Sequence, residues 1–235
     1  MLIKLREFFS NGLLTNNQLK IIALLAMTCD HVGKELLPQF DFLQMIGRLA
    51  LPIFAYMIAE GAFYTKKRRK YLLNLALLAF VCQLVYFFVM GSLYQCILVT
   101  FSLSVCLIYA FDFCLKKQNL QGGLVAGAVL AAVIFICTEL PLLLPRTDFW
   151  IDYGIWGVVL PLFVFLGKKK SSKLLLAALG MLLLAIDLGG MQWYSFAALP
   201  LLALYNGKRG KWKMKNLFYI YYPAHLVVIY LISLL

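Results

Sequence analysis

The chain has 235 residues, 63% of them hydrophobic and 14% charged, with a formal net charge of +12. Apolar runs of helix-spanning length recur from end to end, which excludes a soluble globular domain and predicts an all-α integral membrane protein. The positive charge does not point to nucleic acid, because the cations sit in short clusters between apolar runs rather than along one polar face.

A crossing needs about 20 apolar residues, and on that measure the chain divides into about nine transmembrane helices within one polytopic domain, 1–235. The spans lie near residues 18–37, 42–64, 71–90, 93–115, 121–144, 153–167, 172–190, 193–206 and 216–235. The first apolar run carries Asp30, His31 and Lys34 and has no small-residue cleavage site, so it reads as a retained helix and not as a signal peptide. Basic clusters fall in alternate loops, at Lys66 to Lys70, at Lys116 and Lys117, at Lys168 to Lys173 and at Lys208 to Lys215. With Lys4 and Arg6 ahead of the first span and Lys20 near its start, they place the amino terminus in the cytoplasm and, for an odd span count, the carboxyl terminus outside. The cysteines (Cys29, Cys82, Cys96, Cys106, Cys114 and Cys137) lie in or beside apolar runs without C-x-x-C or metal-ligand spacing. Neither a disulfide framework nor a metal site is expected.

Ionisable side chains inside apolar spans are unfavourable to bury and mark candidate sites. Lys20 and His31, eleven positions apart in the first span, differ by three helical turns plus about 20°, so they share a face roughly 16 Å apart. His31 and Arg48 lie at similar depth on either side of a short loop, which makes the first two helices antiparallel neighbours. Glu35 follows His31 by four residues and Lys34 follows Asp30 by four, spacings at which each pair shares a face. A histidine titrates near neutrality and suits general-base work, a neighbouring carboxylate sets its tautomer, and an arginine beside it stabilises developing negative charge. His31, Asp30 and Arg48 are therefore candidate catalytic residues; the alternative is a polar lock between two helices.

A second polar set lies toward the cytoplasm. It comprises Lys20, Glu60 late in the second span, and the loop Tyr205, Asn206, Gly207, Lys208, Arg209, Gly210. Freed backbone at the glycines and two adjacent cations form a composition able to hold a phosphate, and equally that of an ordinary topology-setting loop. In the last span Tyr221 and Tyr222 border His225, and Pro223 frees a carbonyl that the bundle must satisfy. His225 reads equally as structural or catalytic. Asp152 opens the sixth span, either as a site residue or as a helix cap.

These residues fall in segments that resemble the TraX family. The segments are N-Q-L-K-I-I-A-L-L-A-M-T-C-D-H-V-G from Asn17 to Gly33, I-G-R-L-A-L-P-I-F-A-Y from Ile46 to Tyr56, and A-E-G from Ala59 to Gly61. D-Y-G-I-W-G from Asp152, Y-N-G-K-R-G from Tyr205 and F-Y-I-Y-Y-P-A-H-L from Phe218 follow in the expected order. Lys20 and His31 also match the basic-x10-His pattern of the wider transmembrane acyltransferases, similar to the acyltransferase-3 and heparan-glucosaminide acetyltransferase families. The resemblance implies a multi-pass acetyltransferase of the bacterial cytoplasmic (inner) membrane, with acetyl-CoA as donor and a pilin amino terminus as the family's named acceptor. It implies that His31 is catalytic and that Lys20 helps to bind the CoA. Where the family pattern would place an acidic, proline-containing segment, this chain reads Cys82, Gln83, Leu84, Val85, Tyr86, which leaves the acceptor open among a pilin-like or secreted peptide and an envelope glycan.

The combined expectation is transfer of an acetyl or acyl group from cytoplasmic acetyl-CoA, with Lys20, Asn206, Lys208 and Arg209 on the CoA. His31 acts as base or as transient acetyl carrier with Asp30 and Arg48, and Glu35, Glu60, Asp152, Tyr222 and His225 line the substrate side. Lipids surround the chain, and nucleic acid is not expected. Two other classes compete. One is a transporter whose proton or anion path runs through Asp30, His31, Arg48 and His225, disfavoured by the absence of an internal repeat. The other is a non-catalytic assembly factor for surface structures.

Overall fold

The computed structural model describes residues 12–211 and 215–234. Lys4, Arg6 and Lys213, used above to orient the chain, and the last residue of the ninth span lie outside them. Among the described residues the regular structure is helical, with two isolated β-bridges, Leu14 to Tyr205 and Gln95 to Ile151. The α-helices are α1 (Asn16–Glu35), α2 (Asp41–Gly47), α3 (Ala50–Tyr64), α4 (Arg68–Met90), α5 (Ile97–Lys117), α6 (Leu120–Ile134), α7 (Leu140–Leu143), α8 (Gly154–Leu166), α9 (Lys170–Leu188), α10 (Ala198–Ala203) and α11 (Lys215–Ser233). Among the described residues, five helical stretches are long and apolar enough to cross a membrane: Asp41–Tyr64, Arg68–Met90, Ile97–Lys117, Leu120–Leu143 and Lys170–Leu188. Gly154–Leu166 and Ile220–Ser233 are apolar but shorter.

Three predicted spans are not uninterrupted α-helices. The second is interrupted at Arg48 and Leu49 between α2 and α3. Pro52 is the cause: it has no N–H for the Arg48 carbonyl four residues back, and its ring crowds that carbonyl. The fifth widens into a π-helical segment, Phe135–Glu139, just before Pro141, which removes the corresponding partner of Cys137. The eighth, expected over 193–206, is instead a 3-10 helix, Gly190–Ala197, followed by the short α10. Its sequence G-M-Q-W-Y-S-F-A is poor in strong α-formers, and the tighter winding sets residues i and i+3 on one edge.

The chain forms two compact units, one from Met1–Met57 with Gly167–Leu235 and one from Ile58–Leu166. In the first, α1 begins at Thr15 with a capping box. The Thr15 hydroxyl accepts from Gln18 N at 3.4 Å, and Gln18 Oε1 accepts from Thr15 N at 2.9 Å. The next N–H groups of the helix are met by the loop after α10: Asn16 N donates to Lys208 O at 2.8 Å and Asn17 N to Arg209 O at 3.2 Å. Gly210, at φ +92°, allows this approach, since a Cβ there would stand 3.1 Å from Thr15 Oγ1. Leu19, Ala23, Ala26 and Met27 form the buried stripe of α1, which packs on α2 and α11; α2 packs in turn on the 3-10 helix.

The second unit is built around α5, which packs on α4, α6 and α8. Leu107, Ile108, Val133, Cys137, Ile151, Val158 and Leu162 make its core. Asn119 caps α6 by accepting from Gly122 N at 2.9 Å, and Asp112 joins Arg68 at 2.6 Å and Lys116 at 2.7 Å.

Candidate functional site

At the start of α1, backbone pairing with the 205–210 loop brings together the cations that the sequence separates by almost the whole chain. Arg209 lies close enough to Lys20 for their like charges to interact, while Lys208 and Arg209 themselves are exposed. Asn206 shapes the loop: its N–H donates to Leu14 O at 2.9 Å, and its Oδ1 accepts from Lys208 N at 2.9 Å. Because loop carbonyls already occupy the first amides of α1, an anion bound here would be held by side-chain charge rather than by the helix end.

About three helical turns along the same helix lies the second cluster, roughly 16 Å from Lys20 by the rise of an α-helix. Asp30 is 6% exposed, and both its oxygens are engaged: one meets Lys34 Nζ at 2.5 Å, the other accepts from Arg48 Nη2 at 2.9 Å. Gly47 makes that close packing of α1 and α2 feasible, because a Cβ there would overlap Asp30 Cβ and stand 2.5 Å from Oδ1. Arg48 has its Nε buried without a partner. The expected neighbour relation between the first two helices thus holds, with Asp30 rather than His31 as the group that receives the arginine.

His31 finds an aromatic partner instead of a carboxylate. Asp30 is committed to two cations and Glu35 is exposed at the helix end, whereas the rings of His31 and His225 lie 5.2 Å apart at 65°. His225 is 7% exposed, with Nδ1 3.1 Å from Tyr221 O and Nε2 buried without a partner. The Tyr221 ring stacks on it at 5.4 Å and 10°, and Tyr222 meets it edge-on at 5.4 Å. Tyr221 is itself pinned: Thr28 Oγ1 donates to Leu24 O at 2.9 Å, so at the 2.6 Å contact the tyrosine hydroxyl donates to Thr28.

The remaining predicted site residues fall in the other unit. Glu60 is 5% exposed on α3. Asp152 stands ahead of α8, where its Oδ1 accepts from Tyr94 at 2.7 Å, its N–H donates to Gln95 O at 3.0 Å and its carbonyl accepts from Thr100 at 2.8 Å. Both the carboxylate and the backbone of Asp152 therefore hold a polar belt together.

Sequence reasoning missed Gln192 and Ser195. Both are buried, at 3% and 0% exposure, and their polar side-chain atoms have no hydrogen-bond partner. The 3-10 winding of Gly190–Ala197 eclipses positions i and i+3 and sets the two on one edge, where an α-helix would offset them by about 60°.

The long apolar helices and the buried ionisable cluster define a helical membrane protein with a polar site held among α1, α2 and α11. Residues 15–233 match the TraX protein family, and the chain belongs to it. A relative from Dichelobacter nodosus, named "Probable fimbrial assembly protein FimC, serogroup H1", is 25% identical over 239 residues, covering 90% of this chain and 93% of its own. An uncharacterized protein of Rickettsia prowazekii (strain Madrid E) is 26% identical over 162 residues, covering 68% of this chain and 59% of its own. No solved structure matches.

Proposed function

We propose that the protein is an acetyl- or acyltransferase of the bacterial inner membrane that takes its acyl group from acetyl-CoA on the cytoplasmic side. The observation that carries this reading is the spacing of the two clusters along one helix. Lys20, Lys208 and Arg209 converge at one end of α1, and the His31–His225 pair lies roughly 16 Å along it, within the reach of an extended pantetheine arm. The converging cations suit the phosphates of the donor. His31 works at the acetyl carbonyl, as base toward the acceptor or as transient acetyl carrier, and Arg48 is the nearby cation for a developing oxyanion. The acceptor is an amine or hydroxyl, as on a peptide amino terminus or an envelope glycan.

The test is acyl transfer from acetyl-CoA by purified protein, read by mass spectrometry as the gain of one acetyl group on peptides and envelope polymers. His31→Ala should lower the rate by about 10²–10⁴. Full activity in that variant would refute the assignment. The Dichelobacter relative is named for fimbrial assembly, and a second reading of this chain is a non-catalytic assembly factor for surface structures. That reading predicts no binding of acetyl-CoA.

A further inference from the structure

His225 carries an unused nitrogen whose protonation state is set by its surroundings. A carbonyl oxygen only accepts, so the 3.1 Å contact with Tyr221 O requires Nδ1 to carry the proton. In the neutral ring that leaves Nε2 as a bare lone pair, and Nε2 is the atom that is buried without a partner. Leaving a buried acceptor unpaired is unfavourable. Three rings fix the imidazole in place: Tyr221 stacked on it, Tyr222 and His31 edge-on. The bond from Tyr221 to Thr28 ties this cage to α1, one turn before His31.

Charge separates the two histidines. Asp30, Lys34 and Arg48 lie beside His31 and amount to two cations against one carboxylate, so a positive charge on His31 would add to a local surplus, whose Lys34 member reaches solvent. His225 is framed by aromatic rings and a backbone carbonyl.

We infer that His225 is the catalytic base of the transfer, receiving the acceptor's proton at Nε2 while His31 stays uncharged at the acetyl carbonyl. This rests on the transferase reading above. For an amine acceptor, the nitrogen–carbon bond forms as the carbon–sulfur bond breaks, and the electron pair of that bond leaves on sulfur. The amine proton passes to His225 Nε2 and from there to the thiolate, which regenerates the neutral ring and releases the free thiol.

Two measurements test the inference. The chain has two histidines, so nitrogen-15 NMR of histidine-labelled protein in lipid, with His31→Asn removing one ring, reads the His225 tautomer directly. Protonated Nδ1 and bare Nε2 are expected, and the opposite tautomer overturns the assignment whatever the activity. In membranes carrying the protein, label from [14C]acetyl-CoA should pass to endogenous acceptors about 10²-fold or more slowly with His225→Ala, with partial rescue by added imidazole. His225→Gln, which keeps a donor for Tyr221 O but has no base, should be equally slow at an unchanged melting temperature. Transfer at the wild-type rate in either variant refutes the base and leaves the transferase reading standing. No transfer by the wild-type protein refutes both.

Discussion

Replacing Gly47 by alanine sets two effects of opposite sign against each other. Gly47 closes α2, and helix propensity alone favours alanine there by about 1 kcal/mol. The added Cβ, however, would stand 2.5 Å from Asp30 Oδ1 and overlap Asp30 Cβ, an atom at the root of the side chain that cannot swing away. Ordinary carbon contacts are about 3.5–4.0 Å, so α1 and α2 must separate by about 1 Å or more. That stretches the 2.9 Å bond from Arg48 to Asp30 beyond hydrogen-bond range. Overpacking costs about 1–3 kcal/mol and breaking a buried ion pair about 3–5 kcal/mol. Lys34 still holds the other carboxylate oxygen, so the smaller values apply. After the propensity gain, Gly47→Ala should be destabilised by about 3 kcal/mol, or about 6–12 °C in Tm for a chain of this size. Thermal unfolding of the purified protein in detergent measures this. A Tm equal to or above wild type would mean that propensity wins and that the close approach at Asp30 is not a constraint.

Three further outcomes are expected. Lys20→Ala and Arg209→Ala should each raise the KM for acetyl-CoA about tenfold with kcat nearly unchanged; a fall in kcat at constant KM would remove these cations from the donor site. Thr15→Ala removes the side-chain cap of α1 and should lower stability by about 1 kcal/mol in the same thermal assay, an unchanged Tm refuting the capping role. Hydrogen bonds from Ser92 and from the Leu93 amide hold the Asp148 carboxyl below its ordinary pKa of about 3.9. The folded value being the lower one, the stabilisation is complete above the ordinary pKa and disappears as pH falls through the depressed value. Exchange of the Leu93 amide, corrected for its intrinsic pH dependence, should accelerate in that acid window, and Asp148→Asn should abolish the effect.

Much of the helical order was legible in advance because in lipid a backbone must satisfy itself, so spans announce themselves as apolar runs of a set length. The interruptions at Arg48 and before Pro141 were written in the prolines, yet their form depends on how the chain relieves a missing donor. Along α1 the Lys20–His31 spacing followed from helical rise alone. By contrast, the Asp30–Lys34 pair was visible as an i, i+4 relation, while the choice of Asp30 over His31 as the partner of Arg48 needed the packing of Gly47 against α1.

What sequence by itself determined is therefore local and periodic: which segments are helical and apolar, and which ionisable residues share a face. Only the tertiary structure decided which distant residues meet. Backbone bonds from the amides of α1 to the 205–210 loop put Arg209 beside Lys20, and the packing of α11 on α1 put the His225 ring against His31. The physical reason is that helical periodicity relates residues within a few turns, whereas the pairing of whole helices is settled by close packing and buried hydrogen bonds between segments that no single stretch of sequence contains.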